Sequence, residues 1–394
     1  MGPRRSTGRI VAIAAISTAA ALVLAVVGIG VTYAVLGTRE PGPLESRLQG
    51  LVDDGFPAAV ATVTTDDDQE SFAAGRAVRG EPGRPPEDPV VRIGSNTKMF
   101  TAVVVLRLAE QGKIDLDRPV ATYLPRVLPR AGIRDDGITV RQLLQHTSGL
   151  PNYTAALPRD PFELRDAYLS PRDLVDLAGT QRSTGEPGQR WSYSNTNFVV
   201  AGLVAERVSG RPIDELVRSM IIRPLRLEHT RFPDAGDRRL GGDVAHGYAR
   251  DAEERLRDIT TMDPSWAWAA GQMTSTPGDL NRFMRALVGG RLLDDAMLEE
   301  MQTTVPSTDA WTGARYGLGL MRLPLSCGGF AWGHGGDIPG YETRNAVTPD
   351  GRAVTVAVTA MPGSIASSPA ETLQRTRAVN RVVDRALCAG RSDD

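Results

Sequence analysis

Gly94-Ser95-Asn96-Thr97-Lys98, continuing as Met99-Phe100-Thr101-Ala102-Val103-Val104-Val105-Leu106, is the stretch around which the rest of the chain can be organised. From Ser95 to Gln111 apolar residues recur at helical spacing, through Phe100, Val103, Val104, Leu106 and Leu108, and Gly112 supplies the stop. The spacing predicts a helix entered from the loop after Pro89. Residues three apart share a helix face, so the Ser95 hydroxyl and the Lys98 amine are predicted to lie side by side. A serine hydroxyl is a poor nucleophile until a neighbouring base takes its proton. Of 45 basic residues only Lys98 and Lys113 are lysine. Arginine does not lose its proton at a useful pH, whereas a crowded or buried lysine can, so a lysine kept at position 98 carries chemical meaning.

Upstream, Ala58–Thr65 and Glu70–Val78 are β-rich runs separated by Asp66-Asp67-Asp68, which reads as a hairpin. Downstream, helices are predicted at Val140–His146, Ser170–Ala178, Phe198–Val208, Pro212–Met220 and Pro277–Val288, joined by loops rich in Pro, Gly and Asp. Strands return at Phe330–His334, Glu342–Thr348 and Arg352–Ala360, and an amphipathic helix closes the chain from Pro369 to Leu387. Both chain ends thus supply strands and helices around a helical middle. That pattern reads as an α+β fold, an antiparallel sheet flanked by terminal helices, with an all-helical subdomain inserted.

Two further motifs can complete a site with Ser95 and Lys98. Tyr193-Ser194-Asn195 lies on a loop leading into a helix, where Tyr193 can shuttle a proton and Asn195 can hydrogen-bond both a substrate amide and Lys98. Gly333-His334-Gly335-Gly336-Asp337 is a glycine-rich strand edge against which a substrate backbone can lie, with His334 supplying positive or hydrogen-bonding character. Each motif alone is commonplace. No Gly-x-Ser-x-Gly elbow occurs at Ser95, which has Ile93 two residues before it. His146, His229, His246 and His334 show no His-Glu-x-x-His spacing, and no phosphate-cradling glycine loop is present, so neither metal nor cofactor is expected.

The chain has 394 residues, 41% apolar and 23% charged, with a formal net charge of −2, which offers no basic field for nucleic acid. Segment 1–9 carries Arg4, Arg5 and Arg9, and Ile10–Leu36 follows without one charged residue. As a helix that run would measure roughly 40 Å, enough for a ~30 Å hydrocarbon layer. We expect a transmembrane signal-anchor at 10–36, a linker at 37–43 and a catalytic domain at 44–394 outside the cell membrane; cleavage of the segment would make the protein secreted. Outside is commonly oxidising, so Cys327 and Cys388 are a candidate disulfide.

Ser-x-x-Lys, Tyr-x-Asn and a His-x-Gly strand occur here in the order found in the serine penicillin-recognising enzymes. The chain resembles their D-alanyl-D-alanine carboxypeptidase and class C β-lactamase branch, most of all the actinobacterial carboxypeptidases. Leu143–Pro151 (LLQHTSGLP), Trp268–Gly271, Tyr316–Leu320 (YGLGL) and Cys327 seven residues before His334 add to the likeness. The resemblance implies a β-lactamase/transpeptidase-like fold acting as a monomer. It implies Ser95 as the acylated nucleophile, Lys98 and Tyr193 as its proton partners, Asn195 as a substrate-binding residue and Trp268 as a pocket wall. His334, Gly335, Gly336 and Asp337 would flank the cleft, with the backbone N–H groups of Ser95 and Asp337 as oxyanion hole. The substrates it implies are small peptides or esters, including peptidoglycan stem peptides and β-lactams. Gly335, Asp337 and Met321 stand where the carboxypeptidases carry their carboxylate-binding threonines and arginine, although Arg322 is adjacent. An acidic Asp337 facing the cleft would repel a terminal carboxylate, so an esterase, a β-lactamase and a catalytically silent sensor stay open beside the peptidase.

Overall fold

The structure, a computed structural model, describes residue 2 and residues 42–66, 68–134, 137–308 and 311–390. The expected signal-anchor at 10–36 lies outside the described residues, as do most of the basic segment 1–9 and of the linker 37–43. Among the described residues no helix is long and apolar enough to cross a membrane.

Eight strands form one antiparallel sheet: β1 (Ala58–Thr65), β2 (Asp68–Gly75), β3 (Val305–Pro306), β4 (Arg315–Tyr316), β5 (Met321–Pro324), β6 (Phe330–Ile338), β7 (Tyr341–Val347) and β8 (Ala353–Val358). Their order across the sheet is β2-β1-β8-β7-β6-β5-β4-β3, so the N-terminal hairpin completes a sheet whose other strands come from the C-terminal third. The centre of the sheet is covered on both faces. That is why β8 (AVTVAV) is buried at every position, without the apolar-polar alternation of a half-exposed strand.

On one face lie α1 (Pro43–Asp53) and the terminal helix, burying Leu48, Leu51, Val379, Val383 and Leu387 against Val354, Val356 and Val358. On the other lies the larger core, which contains α2 (Thr97–Glu110), α3 (Asn195–Ser209) and α4 (Pro277–Val288). α2 is apolar nearly all round because it is buried on all sides, and Phe100 stacks on Phe283 with ring centroids 3.9 Å apart. The terminal helix, α5 (Pro369–Cys388), ends in a disulfide from Cys388 to Cys327 in the β5–β6 connection, with Cα atoms 5.8 Å apart. Closing a loop of 61 residues constrains the unfolded chain by about 4 kcal/mol on the chain-entropy model.

Four elements depart most from the sequence reading, the first being the second hairpin strand, which spans Asp68–Gly75 and not Glu70–Val78. The predicted strand Phe330–His334 runs on to Ile338, because its glycines keep the extended backbone. Helix α3 begins at Asn195, three residues before the periodicity announces it. The predicted helix Pro212–Met220 is α-helical only over Ile213–Val217 and continues as a π turn through Arg218–Ile222. One pairing detail creates the cleft. β6 bonds to β7 from Trp332 to Ile338 but to β5 only from Phe330 to Gly333, so beyond Gly333 its second edge is open.

Candidate active site

Ser95 sits in a 3-10 turn, Gly94–Asn96, that feeds directly into α2. Gly94 has φ +49°, and a Cβ there would come within 2.8 Å of the Asp337 nitrogen, so only glycine lets this turn lie against β6. Gly336 is closed in from the other side, where a Cβ would meet the Ile93 carbonyl oxygen at 2.0 Å. Buried side chains lock the same junction. Asn96 Nδ2 donates to Ile93 O at 2.8 Å, and Asn345 Nδ2 on β7 donates to Asn96 Oδ1 at 2.6 Å. Turn and strand edge therefore form one rigid corner.

Three elements converge on the Ser95 hydroxyl. Lys98 Nζ is 3.0 Å from Ser95 Oγ, and the Tyr193 hydroxyl, from the residues just ahead of α3, donates to Ser95 Oγ at 2.7 Å. Lys98 Nζ also donates to Asn195 Oδ1 and to the Ala270 carbonyl, both at 2.7 Å. Asn195 is aimed by Asn152, whose Oδ1 accepts from the Asn195 backbone N–H and from its Nδ2. Lys98 is wholly buried, and that desolvation pushes its pKa well below the usual lysine value, with Asp337 pulling the other way. A neutral amine has two N–H donors and one lone pair. Once Lys98 is deprotonated, the two carbonyl oxygens can take both donors, which would turn the lone pair toward Ser95. The arrangement can accept the Ser95 proton without moving an atom far.

The two histidines of this region are neutral by geometry and by burial. His334 Nδ1 lies 2.5 Å from the Gly335 carbonyl, which can only accept, so Nδ1 carries the proton and Nε2 accepts from the Tyr316 hydroxyl at 2.8 Å. Burial, with the nearby Lys98 and Arg344 charges, lowers its pKa to about 3. The positive character expected of His334 is therefore absent, and the residue is a strut between β4 and β6. His146 has φ +59° and accepts the Ser194 N–H at Nδ1; burial again lowers its pKa. Its ring lies 4.4 Å from that of Tyr193, supporting the phenol from behind.

The cleft in front of Ser95 is a cavity of about 1000 Å³ that reaches from Tyr193 and Asn195 across β6 and β7 to Asn380 on α5. His334, Gly335 and Asp337 line it, while Gly336 faces away under Ile93. Trp268 does not line it. Its ring packs where a Gly202 side chain would be, so the expected aromatic wall comes instead from Trp191 and Trp311. The Trp268–Gly271 turn contributes through the Ala270 carbonyl, a backbone atom that side-chain motifs do not reveal. Arg322 stacks on Phe330 with its guanidinium 4.1 Å from the ring centroid. The arginines that line the cleft are Arg190 and, on β7, Arg344, and Asp337 Oδ1 and Glu342 Oε1 each lie 2.9 Å from Arg344 Nη2. Neither Glu342 nor Arg344 stood out in the sequence. Among the described residues no group of three or more His, Cys, Asp or Glu side chains is placed to hold a metal ion.

A protein-family model described as Beta-lactamase matches residues 44–379. The chain is 26% identical over 264 residues to the putative penicillin-binding protein PbpX of Bacillus subtilis (strain 168), a match covering 67% of this chain and 60% of that protein. It is 29% identical over 255 residues to the D-alanyl-D-alanine-carboxypeptidase/endopeptidase AmpH of Escherichia coli (strain K12), covering 62% of each. The chain thus spans about 60% of the length of these curated relatives. Among solved structures, a D-stereospecific amidohydrolase from Streptomyces sp. superposes with a TM-score of 0.75 at 38% identity, covering 85% of this chain and 98% of that one.

Proposed function

The chain belongs to the beta-lactamase family of serine hydrolases, and from that premise we propose that it cleaves small amides or peptides of the cell-wall type through an acyl-enzyme on Ser95. The observation that carries this reading is the convergence of the Lys98 amine and the Tyr193 phenol on one hydroxyl, within 3.0 and 2.7 Å. Ser95 Oγ attacks the substrate carbonyl carbon while its proton passes to Lys98. The developing oxyanion is held by the backbone N–H groups of Ser95 and Asp337, which the Gly94 contact brings together. The carbon–nitrogen bond then breaks as Tyr193 gives its proton to the departing nitrogen, and the proton held by Lys98 restores the phenol. Water hydrolyses the acyl ester by the reverse relay.

Preference for a D-alanyl-D-alanine terminus has less support. Arg344, which lines the cleft on β7, already pairs with the Asp337 carboxylate and lies against Glu342, whose pKa burial raises to about 8, and a substrate carboxylate would have to face Asp337. Purified full-length protein, with Ser95→Ala as control, tests the proposal against a fluorescent penicillin, a D-alanyl-D-alanine peptide and a p-nitrophenyl ester. Ser95-dependent labelling or turnover of any of them supports an acyl-enzyme; no Ser95-dependent signal with all three refutes it. We further propose that segment 10–36 holds the chain at the cell membrane with residues 44–394 outside. Protection of the domain from protease added to intact cells would contradict that placement.

A further inference from the structure

Arg344 crosses β6 beside the place where the oxyanion is to be held. In the pairing of β6 with β7 it stands opposite Gly335, and its side chain lies over that glycine: a Cβ at position 335 would come within 2.9 Å of Nη1 and 3.2 Å of Cζ. From there the guanidinium forks. Nη2 donates to Asp337 Oδ1 at 2.9 Å, while Nη1 donates to the Thr343 carbonyl at 3.1 Å and to the Gly336 carbonyl at 3.4 Å. The side chain is 13% exposed, so water screens these contacts only in part. Arg190, the other arginine lining the cleft, is turned to the Thr184 carbonyl.

The Gly336 contact matters because of what lies at the other end of the same peptide. A trans peptide is planar, with its C=O and N–H pointing opposite ways, so the Gly336 carbonyl and the Asp337 N–H are two ends of one dipole. That N–H is the half of the oxyanion hole that β6 supplies, and its nitrogen is the atom Gly94 brings against the Ser95 turn. A cation at the carbonyl end fixes the plane of the unit and polarises it, which strengthens the N–H as a donor to negative charge. The same guanidinium acts on the side chain as well. Asp337 puts a half-exposed carboxylate on the very residue that must receive an oxyanion, and unpaired it would repel that charge. Glu342 also lies 2.9 Å from Nη2, but it is fully buried and desolvation pushes its carboxyl up to about 8, so near neutral pH it leaves most of the arginine charge uncancelled.

We propose that Arg344 is a positioning residue for acyl transfer: it aims and polarises the Gly336–Asp337 peptide and neutralises the Asp337 carboxylate, so that an acidic strand edge can stabilise an oxyanion. The inference rests on the serine-hydrolase reading and adds to it a residue that acts only through the oxyanion hole. It is tested on the full chain with p-nitrophenyl acetate, which has no carboxylate for an arginine to bind, and with phenylboronic acid, which adds to a serine hydroxyl as a tetrahedral anion. Outright removal of an oxyanion donor costs about 10²–10³-fold; in Arg344→Met the donor stays and loses only its aim and its field, so the saturating burst rate should fall about tenfold. The substrate concentration that half-saturates the burst should stay within about twofold, because ground-state binding is untouched. The inhibition constant of phenylboronic acid should rise by the same factor as the burst rate falls, and Arg344→Lys, which keeps the charge without the fork, should lose less than Arg344→Met. Burst rate and inhibition constant do not depend on the fraction of protein folded, and thermal unfolding reports folding separately. Arg344→Met with a burst rate within about twofold of the parent overturns the proposal. So does a loss carried in half-saturation alone, or one that leaves the boronate inhibition constant unmoved, as a residue that merely supports packing would give. Absence of Ser95-dependent turnover in the unmutated chain would instead sink the hydrolase reading itself.

Discussion

Lys98 is the residue whose replacement separates chemistry from packing most sharply. Lys98→Met keeps the length and apolar stem but removes the nitrogen, leaving Asn195 Oδ1 and Ala270 O as buried acceptors that cost about 1–3 kcal/mol each if unpaired. Against that loss stands the removal of an amine whose burial already opposes its charge, so the net stability change should be small. Activity behaves differently. A positioned base contributes about 10²–10⁴-fold, so acylation should slow by that factor, its barrier rising by about 3–5 kcal/mol. Lys98→Arg should be as inactive, because a guanidinium keeps its proton. It should also be less stable by about 1–3 kcal/mol, since the larger group must enter a site with no exposed surface. The assay is the burst of p-nitrophenol from a p-nitrophenyl ester between pH 6 and 10, with the exposed Lys113→Arg as control. In the unmutated chain the burst rate should climb with pH as Lys98 loses its proton, along a limb below the ordinary lysine range, and that limb should vanish in both variants. Either variant acylating within tenfold of the parent, with the same pH profile, would refute the base assignment.

Two further outcomes follow from the same corner of the fold. Gly336→Ala sets a methyl 2.0 Å from Ile93 O and 2.5 Å from Asn96 Nδ2, so β6 must retreat from the Ser95 turn; Ser95-dependent turnover should drop at least 100-fold, with a destabilisation of about 1–3 kcal/mol by thermal unfolding. Stability should also fall on acidification. His334 stays neutral in the fold down to about pH 3, while in the unfolded chain it gains a proton below its ordinary 6.5. The unfolded state therefore binds more protons between those values, the penalty grows as pH falls through that window, and at pH 5 it reaches about 2 kcal/mol. Denaturant titrations at pH 7 and pH 5 measure it, and His334→Gln should reduce the difference by about that amount, leaving the part that the buried His146 contributes in the same direction.

How much of this could be read from the residues depended on how far apart the partners lie. Ser95 and Lys98 were legible because one helical turn fixes their distance whatever the rest of the chain does. Tyr193 and Asn195 needed a loop to be folded back across 97 residues, from Lys98 to Asn195, and were legible only as part of a joint pattern. The Ala270 carbonyl and the Asn96–Asn345 tie, between residues 249 apart, left no local trace, because a backbone oxygen has no residue type and an asparagine on a strand has many uses. Trp268 misled for the converse reason: its residue type suits a pocket wall, but an aromatic ring packs wherever a neighbour offers space, and Gly202 of α3 offers it. Glu342 is the most instructive case. In Tyr341-Glu342-Thr343-Arg344-Asn345 the alternation of a half-exposed strand would send Glu342 and Arg344 to solvent. Instead α5 covers that face, so both turn into the cleft. The placing of Glu342 and Arg344 thus arises from the docking of the last helix on the sheet, a contact between residues about 30 to 40 positions apart that no window of sequence contains.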